Sequence, residues 1–172
     1  MTTTLLVLLT LVLFPALMAF SASSDLFSMK ISNRVSIALA TAYPVLAFGL
    51  GVPLPTIATN LACGFVVLLL TFTMFSRGWI GGGDAKLAAA TAPWLGWALM
   101  LDYSLLTSVL GGVLTLGIIL SRRTPLPNWA ARLDWVARLH HPDNGVPYGI
   151  ALAAAGLALY PSTQIWHAAT GL

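Results

Sequence analysis

Six apolar runs, each long enough to cross a lipid bilayer, dominate this sequence. Lipid offers backbone N–H and C=O groups no water partner, so each run is predicted to be an α-helix. A β-barrel is excluded because its strands would alternate polar and apolar residues, whereas Phe65–Leu70 is continuously apolar. The predicted spans are Thr4–Ala22, Val35–Gly51, Ile57–Ser76, Ala85–Leu101, Tyr103–Leu120 and Pro147–Trp166.

The composition agrees with an all-α, polytopic membrane protein in a lipid bilayer, with residues 1–172 forming one transmembrane domain. Hydrophobic residues make up 58% of the chain and charged residues only 8%, against about 25% charged residues in soluble domains. This excludes an ordinary soluble enzyme and a disordered chain, and eight Lys and Arg residues are too few for a nucleic-acid surface. The first span resembles a signal peptide at Ala19–Ala22, but Met1–Thr4 lacks a basic residue, so a retained helix is predicted.

The basic residues predict the orientation in the membrane. With six spans, both termini face one side, and the connections Ser23–Arg34, Arg77–Asp84 and Ser121–Val146 face the other. The positive-inside rule places these connections in the cytoplasm and both termini on the outer side of the plasma membrane. In the longest connection, apolar residues recur at helical spacing and predict a short interfacial helix, Trp129–His140. The basic residues of these connections are Lys30, Arg34, Arg77, Arg122, Arg123, Arg132 and Arg138.

Two of the five acidic residues lie where a membrane boundary is predicted. Asp25 follows the first span and Asp84 begins the fourth, both on the predicted cytoplasmic side. Ionisable residues at such positions are functional candidates, although each could simply cap a helix or solvate a loop. Asp102 is predicted to be a solvated turn between the fourth and fifth spans. The pair His140–His141 indicates a solvated loop rather than a metal site, because no further ligands lie nearby.

Three consecutive glycines, Gly81, Gly82 and Gly83, directly precede Asp84. Such a run is costly unless the backbone needs unusual dihedral angles or close approach, although a flexible hinge is the simpler reading. Next to a carboxylate at the membrane, it suggests an exposed backbone edge along which an extended peptide could lie.

These residues resemble the signature of the GxGD intramembrane aspartic proteases, and Ala85–Lys86–Leu87 is similar to the prepilin peptidase version. Asp25 followed by Lys30–Ile31–Ser32–Asn33 is similar to the family's aspartate and downstream Ile-Pro-Asn, with Ser32 where Pro is common. Pro147–Tyr148–Gly149 at the last span is a third match. The resemblance covers nearly the whole chain and is closest to the short prepilin peptidases of tight-adherence (Flp-type) pili.

The resemblance implies a hydrolase that removes the basic leader of type IV prepilins or pseudopilins at the cytoplasmic face. Asp25 and Asp84 would be catalytic, and the support or substrate-binding residues would be Gly81, Gly82, Gly83, Lys86, Lys30, Asn33, Pro147, Tyr148 and Gly149. Longer prepilin peptidases also N-methylate their product and carry a cytoplasmic insertion with paired cysteines. This chain has only Cys63, inside a span, so methyltransferase activity is not expected.

The implied chemistry needs no metal, cofactor or covalent intermediate. Two adjacent carboxylates share one proton, so one can activate a water molecule while the other protonates the peptide oxygen. Asp84 at a helix N-terminus is the hypothesised base and Asp25 the acid. The alternative is a small transporter coupled to protons or cations, or a non-enzymatic pilus-assembly subunit, in which the two aspartates relay or bind cations.

Overall fold

A computed structural model describes residues 2–171, with side chains described from residue 4 onward. All regular secondary structure in this part of the chain is helical, which confirms the predicted fold class. The elements are α1 (Thr2–Ser28), α2 (Asn33–Gly49), α3 (Leu54–Ser76), α4 (Gly82–Ser121), α5 (Asn128–Ala131), α6 (Asp134–His140), α7 (Gly149–Leu159), a 3₁₀ helix (Tyr160–Ser162) and α8 (Gln164–Thr170).

Three segments of the described chain are long and apolar enough to cross a membrane: Thr4–Ser28, Leu54–Ser76 and Gly82–Ser121. A shorter apolar helical stretch covers Gly149–Ser162. Large apolar side chains on α3, such as Phe65 and Leu70, are exposed on the outside of the bundle. Such a surface suits lipid, because exposing this much apolar surface to water would be unfavourable. Six separate crossings stay a prediction.

Helix α1 is longer than the predicted first span, which ended at Ala22. It continues to Ser28, so Asp25 lies within the helix rather than in the following loop. Serine hydroxyls in this last part bond to carbonyls one turn back, as Ser28 Oγ does to Ser24 O at 2.6 Å. The helix ends where Met29 adopts a positive φ of 54° and its N–H donates to Asp25 O at 2.8 Å.

Helix α4 contains a sharp break, and the predicted position of this break at Asp102 is wrong. The backbone is non-helical at Gly96, with φ 68° and ψ 174°, and is helical through Asp102. Asp84 and Ser108 line the same cavity, although a straight helix would separate them by about 36 Å. The second arm, residues 97–121, therefore folds back along the first arm, residues 82–95.

Gly96→Ala is expected to lower the free energy of unfolding by about 1–3 kcal/mol, because only glycine adopts this conformation without strain. An added Cβ would also lie 2.8 Å from Asn60 Oδ1. Thermal unfolding in detergent measures the effect. Gly117→Ala, on the same helix with nothing within 4 Å of the added Cβ, is the control, and equal melting temperatures for the two variants would contradict the prediction.

Two further predicted boundaries are corrected. The single interfacial helix predicted for Trp129–His140 is divided into α5 and α6, because Leu133 between them is extended. The last span, predicted as Pro147–Trp166, begins as a helix only at Gly149. The α-helix gives way to the 3₁₀ turn that contains Pro161, and α8 begins after the extended Thr163.

An aromatic cluster holds α1, α4 and the 3₁₀ helix that follows α7 together. The ring of Phe14 lies 5.0 Å from that of Trp94 and 4.4 Å from that of Tyr160. The Tyr160 hydroxyl donates to Thr10 O at 2.6 Å, and the Trp94 indole donates to Leu39 O of α2 at 3.0 Å. These buried contacts fix the relative positions of the helices that carry the two candidate aspartates.

Candidate active site

Asp25 is buried at the contact between α1 and α7, with 6% of its surface exposed. Its Oδ2 accepts a hydrogen bond of 2.7 Å from the backbone N–H of Gly149, the first residue of α7. A helix N-terminus carries partial positive charge and favours an anion. Asp84 is hypothesised to be the base because it lies at a helix N-terminus. Asp25 also contacts a helix N-terminus, so the helix dipole does not assign the acid and base roles.

Asp84 is the third residue of α4 and is half-buried. The N-cap of the helix is Gly81 rather than Asp84. A Cβ at Gly81 would lie 2.8 Å from Asp84 Oδ2, so the side chain folds back over the start of its own helix. Glycine at position 81 leaves room for this carboxylate.

The structure brings Asp25 and Asp84 together at one end of the bundle. Both line a cavity of about 990 Å³ and a smaller one of about 340 Å³. The larger cavity also has wall residues from α3, from both arms of α4 and from the segment before α7. Within residues 2–171, no group of three or more His, Cys, Asp or Glu side chains is arranged to hold a metal ion.

The glycines around the aspartates allow close packing rather than an extended edge. Gly82 and Gly83 belong to α4, so the predicted strand-like edge is not present at these two residues. A Cβ at Gly83 would lie 3.2 Å from Ile31 Cβ, and a Cβ at Gly149 would lie 2.8 Å from Ile31 Cδ1. Ile31 thus packs between the starts of α4 and α7, a position that sequence reasoning missed.

The predicted polar residues divide between two places. Lys30 lines the small cavity next to the aspartates. The Lys86 ammonium donates to Asn33 Oδ1 at 3.0 Å, and both residues line a separate groove among α2, α3 and α4. Lys86 follows Asp84 by two residues, which places the two side chains on different faces of the helix. The structure therefore does not bring Lys86 and Asn33 to the aspartates' cavity.

The segment before α7 forms one wall of the larger cavity. Pro147 is fully buried, whereas Tyr148 is half-exposed and its ring packs on Gly111 of α4. A Cβ at Gly111 would lie 2.5 Å from Tyr148 Cε1, so glycine is needed for this contact. The Tyr148 hydroxyl accepts a hydrogen bond from Thr115 at 3.3 Å.

Two arginines that sequence reasoning treated only as topology signals hold the long loop in place. The Arg122 guanidinium bonds to Leu139 O and Asn144 O at 2.9 Å each, and more weakly to two neighbouring carbonyls. Arg138, which lines the larger cavity, donates to Phe27 O at the end of α1 at 2.7 Å. The sequence alone does not show that a basic residue beside a loop rich in turns will donate hydrogen bonds to backbone carbonyls.

Arg122→Gln is expected to loosen the segment from residue 139 to residue 145, because each charge-assisted bond contributes about 1.5–3 kcal/mol. Amide hydrogen exchange of the loop should become about tenfold faster or more. Arg123→Gln removes the same charge from an exposed neighbour and is the control. Equal exchange rates in the two variants would contradict this role.

The chain is similar to known bacterial proteins. It is 31% identical over 126 residues to a prepilin leader peptidase/N-methyltransferase of Aeromonas salmonicida (strain A449), covering 69% of this chain and 38% of that protein. It is 32% identical over 97 residues to a protein of the same name from Aeromonas hydrophila, covering 54% and 28% of the two chains. The matched region thus spans well under half the length of these relatives. No solved structure matches the chain.

The family model described as the type IV leader peptidase family matches residues 12–116, a region that contains both Asp25 and Asp84. This region is more than half of the 172 residues. Together with the apolar helices, the match identifies an integral membrane protein. The chain belongs to the type IV leader peptidase family.

Proposed function

We propose that this chain is a membrane-embedded aspartic endopeptidase that removes the positively charged leader from type IV prepilins. The observation that carries the proposal is the shared cavity of Asp25 and Asp84, two carboxylates from helices distant in sequence. Membership of the type IV leader peptidase family supports the same substrate class. The name of the Aeromonas relatives, prepilin leader peptidase/N-methyltransferase, supports it as well.

The proposed chemistry is hydrolysis by a carboxylate pair. Two carboxylates in one cavity cannot both ionise cheaply, so one keeps a proton. The charged carboxylate takes a proton from water as the water oxygen bonds to the peptide carbon, and the neutral one protonates the carbonyl oxygen. Collapse of the tetrahedral intermediate breaks the C–N bond, and the amine nitrogen leaves with a proton returned by the pair.

The proposed location is the cytoplasmic face of the inner membrane, with both termini outside. The basic residues at the ends of α1 to α4 and in the long loop support this orientation through the positive-inside rule. A prepilin whose basic leader stays in the cytoplasm would present its scissile bond at the same depth. The carboxylate pair at that end of the bundle would then meet the bond without moving it through lipid.

The proposed substrates are Flp-type prepilins, which the chain would cleave without N-methylation of the product. The match to the Aeromonas relatives covers 38% of the longer protein, whose name includes both activities. The paired cysteines that accompany methylation in the longer family members have no counterpart here, because Cys63 is the single cysteine of this sequence.

Co-expression with a Flp-type prepilin in bacterial membranes tests the proposal. Mass spectrometry of the pilin N-terminus is expected to show loss of the leader and no added methyl group. A pilin that keeps its leader would contradict the peptidase assignment and favour a transporter or an assembly subunit. A trimmed product that carries a methyl group would keep the peptidase and overturn the proposed lack of methylation.

A further inference from the structure

Two hydroxyl groups in the cavity of the aspartates make no hydrogen bond of good geometry to a described residue. They are Tyr103 Oη and Thr107 Oγ1, both on the second arm of α4. Tyr103 is 2% exposed. Buried hydroxyls are normally paired, because removing such a group from water without a partner is unfavourable. Two unpaired hydroxyls in one cavity therefore indicate a site for a polar group that is not part of this chain.

Tyr103 and Thr107 are one helical turn apart in the sequence of the second arm, so both side chains project from one face of it. The same face carries Ser104 and Ser108, but their hydroxyls donate to carbonyls of their own helix, at 2.8 and 2.7 Å. Tyr103 and Thr107 are thus the members of this face that remain available to a ligand.

The cavity extends from the carboxylates toward these hydroxyls along the helix axes. Ala88, one turn beyond Asp84 in α4, and Leu152, one turn into α7, line the same cavity. One turn corresponds to a rise of about 5.4 Å. A chain bound at the aspartates would therefore run past Tyr103 and Thr107 on the side that faces the apolar middle of the bundle.

We infer that Tyr103 and Thr107 bind the main chain of the substrate on the membrane side of the scissile bond. This inference rests on the proposed function and names two positioning residues for it. A peptide bond can be hydrolysed only when its segment leaves the helical hydrogen-bond pattern, which frees N–H and C=O groups. In an apolar environment these groups need new partners. A hydroxyl both donates and accepts, so two hydroxyls on one helix face can satisfy a freed N–H and a freed C=O whatever the side chains of the substrate are.

The test uses Tyr103→Phe and Thr107→Val, which remove the hydroxyls and keep the shapes of the side chains. Two substrates are compared with the full-length protein in nanodiscs: an intact Flp-type prepilin, and a soluble peptide that stops before the apolar segment. For the prepilin, KM is expected to rise about three- to tenfold in each variant, with kcat within twofold of the parent. For the soluble peptide both constants should stay unchanged.

Tyr160→Phe is the matched control, because it removes a buried tyrosine hydroxyl that bonds to Thr10 O in the aromatic cluster. It should lower the melting temperature and leave the KM for prepilin unchanged. An unchanged KM in Tyr103→Phe and Thr107→Val would overturn the inference, as would equal changes on both substrates.

A binding measurement separates failure of this inference from failure of the proposed function. Prepilin affinity is measured with Asp84→Asn, and with the same variant carrying Tyr103→Phe in addition. A higher Kd in the double variant supports the hydroxyl site even if the parent cleaves no prepilin. That lack of cleavage would contradict only the proposed peptidase activity. Equal Kd values, or no binding of prepilin at all, would overturn the hydroxyl site.

Discussion

Asp25→Asn and Asp84→Asn, each made alone, are expected to stop leader removal, with a loss of about 10²–10⁴-fold in rate. The proposed hydrolysis needs one carboxylate to accept a proton and the other to donate one, and an amide does neither at neutral pH. The fold should survive, because asparagine has nearly the shape of aspartate. At position 25 its carbonyl oxygen can still accept the Gly149 N–H. Quantifying mature pilin by mass spectrometry measures the loss.

The control for these variants is Asp102→Asn. Asp102 lies on α4 like Asp84 but is exposed, and it does not line either cavity of the aspartates. The Asp102→Asn variant should process prepilin at the rate of the parent protein. Full activity in Asp25→Asn or in Asp84→Asn would exclude the carboxylate-pair mechanism.

Gly149→Ala is expected to lower leader removal by about 100-fold, the effect of displacing a reacting group by about 1 Å. The added methyl group would lie 2.8 Å from Asp25 Oδ2 and 2.8 Å from Ile31 Cδ1. Both atoms are at the ends of side chains, so the carboxylate can turn away, whereas Asp25 Cβ at 3.1 Å requires α1 and α7 to shift by a few tenths of an ångström. The melting temperature in detergent should therefore fall only slightly while the initial rate of cleavage falls far more.

Gly112→Ala makes the same exchange in α4, where nothing lies within 4 Å of the added Cβ, and should leave both the rate and the melting temperature close to those of the parent. A Gly149→Ala variant as active as Gly112→Ala would show that hydrolysis tolerates displacement of Asp25. A Gly149→Ala variant that fails to fold would show that α7 cannot tolerate the methyl group.

The sequence was sufficient to predict the helical fold and the common location of the two aspartates. Long apolar runs leave few alternatives in lipid, and the third span, predicted to end at Ser76, ends there in the structure. The break in α4 was misplaced because Asp102 is the polar residue between two apolar runs. The actual break depends on the backbone of Gly96 next to the side chain of Asn60, and this contact leaves no mark in hydropathy.

Much of the site depends on contacts between distant segments. Ile31 is an ordinary apolar residue in the sequence, and its place between Gly83 and Gly149 exists only after three helices have packed. Thr107 lies in a predicted membrane helix, where Ser and Thr hydroxyls commonly bond to the backbone of their own helix, and the sequence identifies no partner for the Tyr103 hydroxyl. Their lack of partners is a property of the assembled cavity.

The bond between Asp25 Oδ2 and the first amide of α7 would connect the proposed hydrolysis to the C-terminal part of the bundle. A carboxylate binds an N–H more strongly than a neutral carboxyl group does. If Asp25 exchanges protons during each turnover, the anchoring of α7 weakens and recovers in step with the reaction. The packing of α7 would then change with the stage of the catalytic cycle, and its brief weakening would favour departure of the trimmed product.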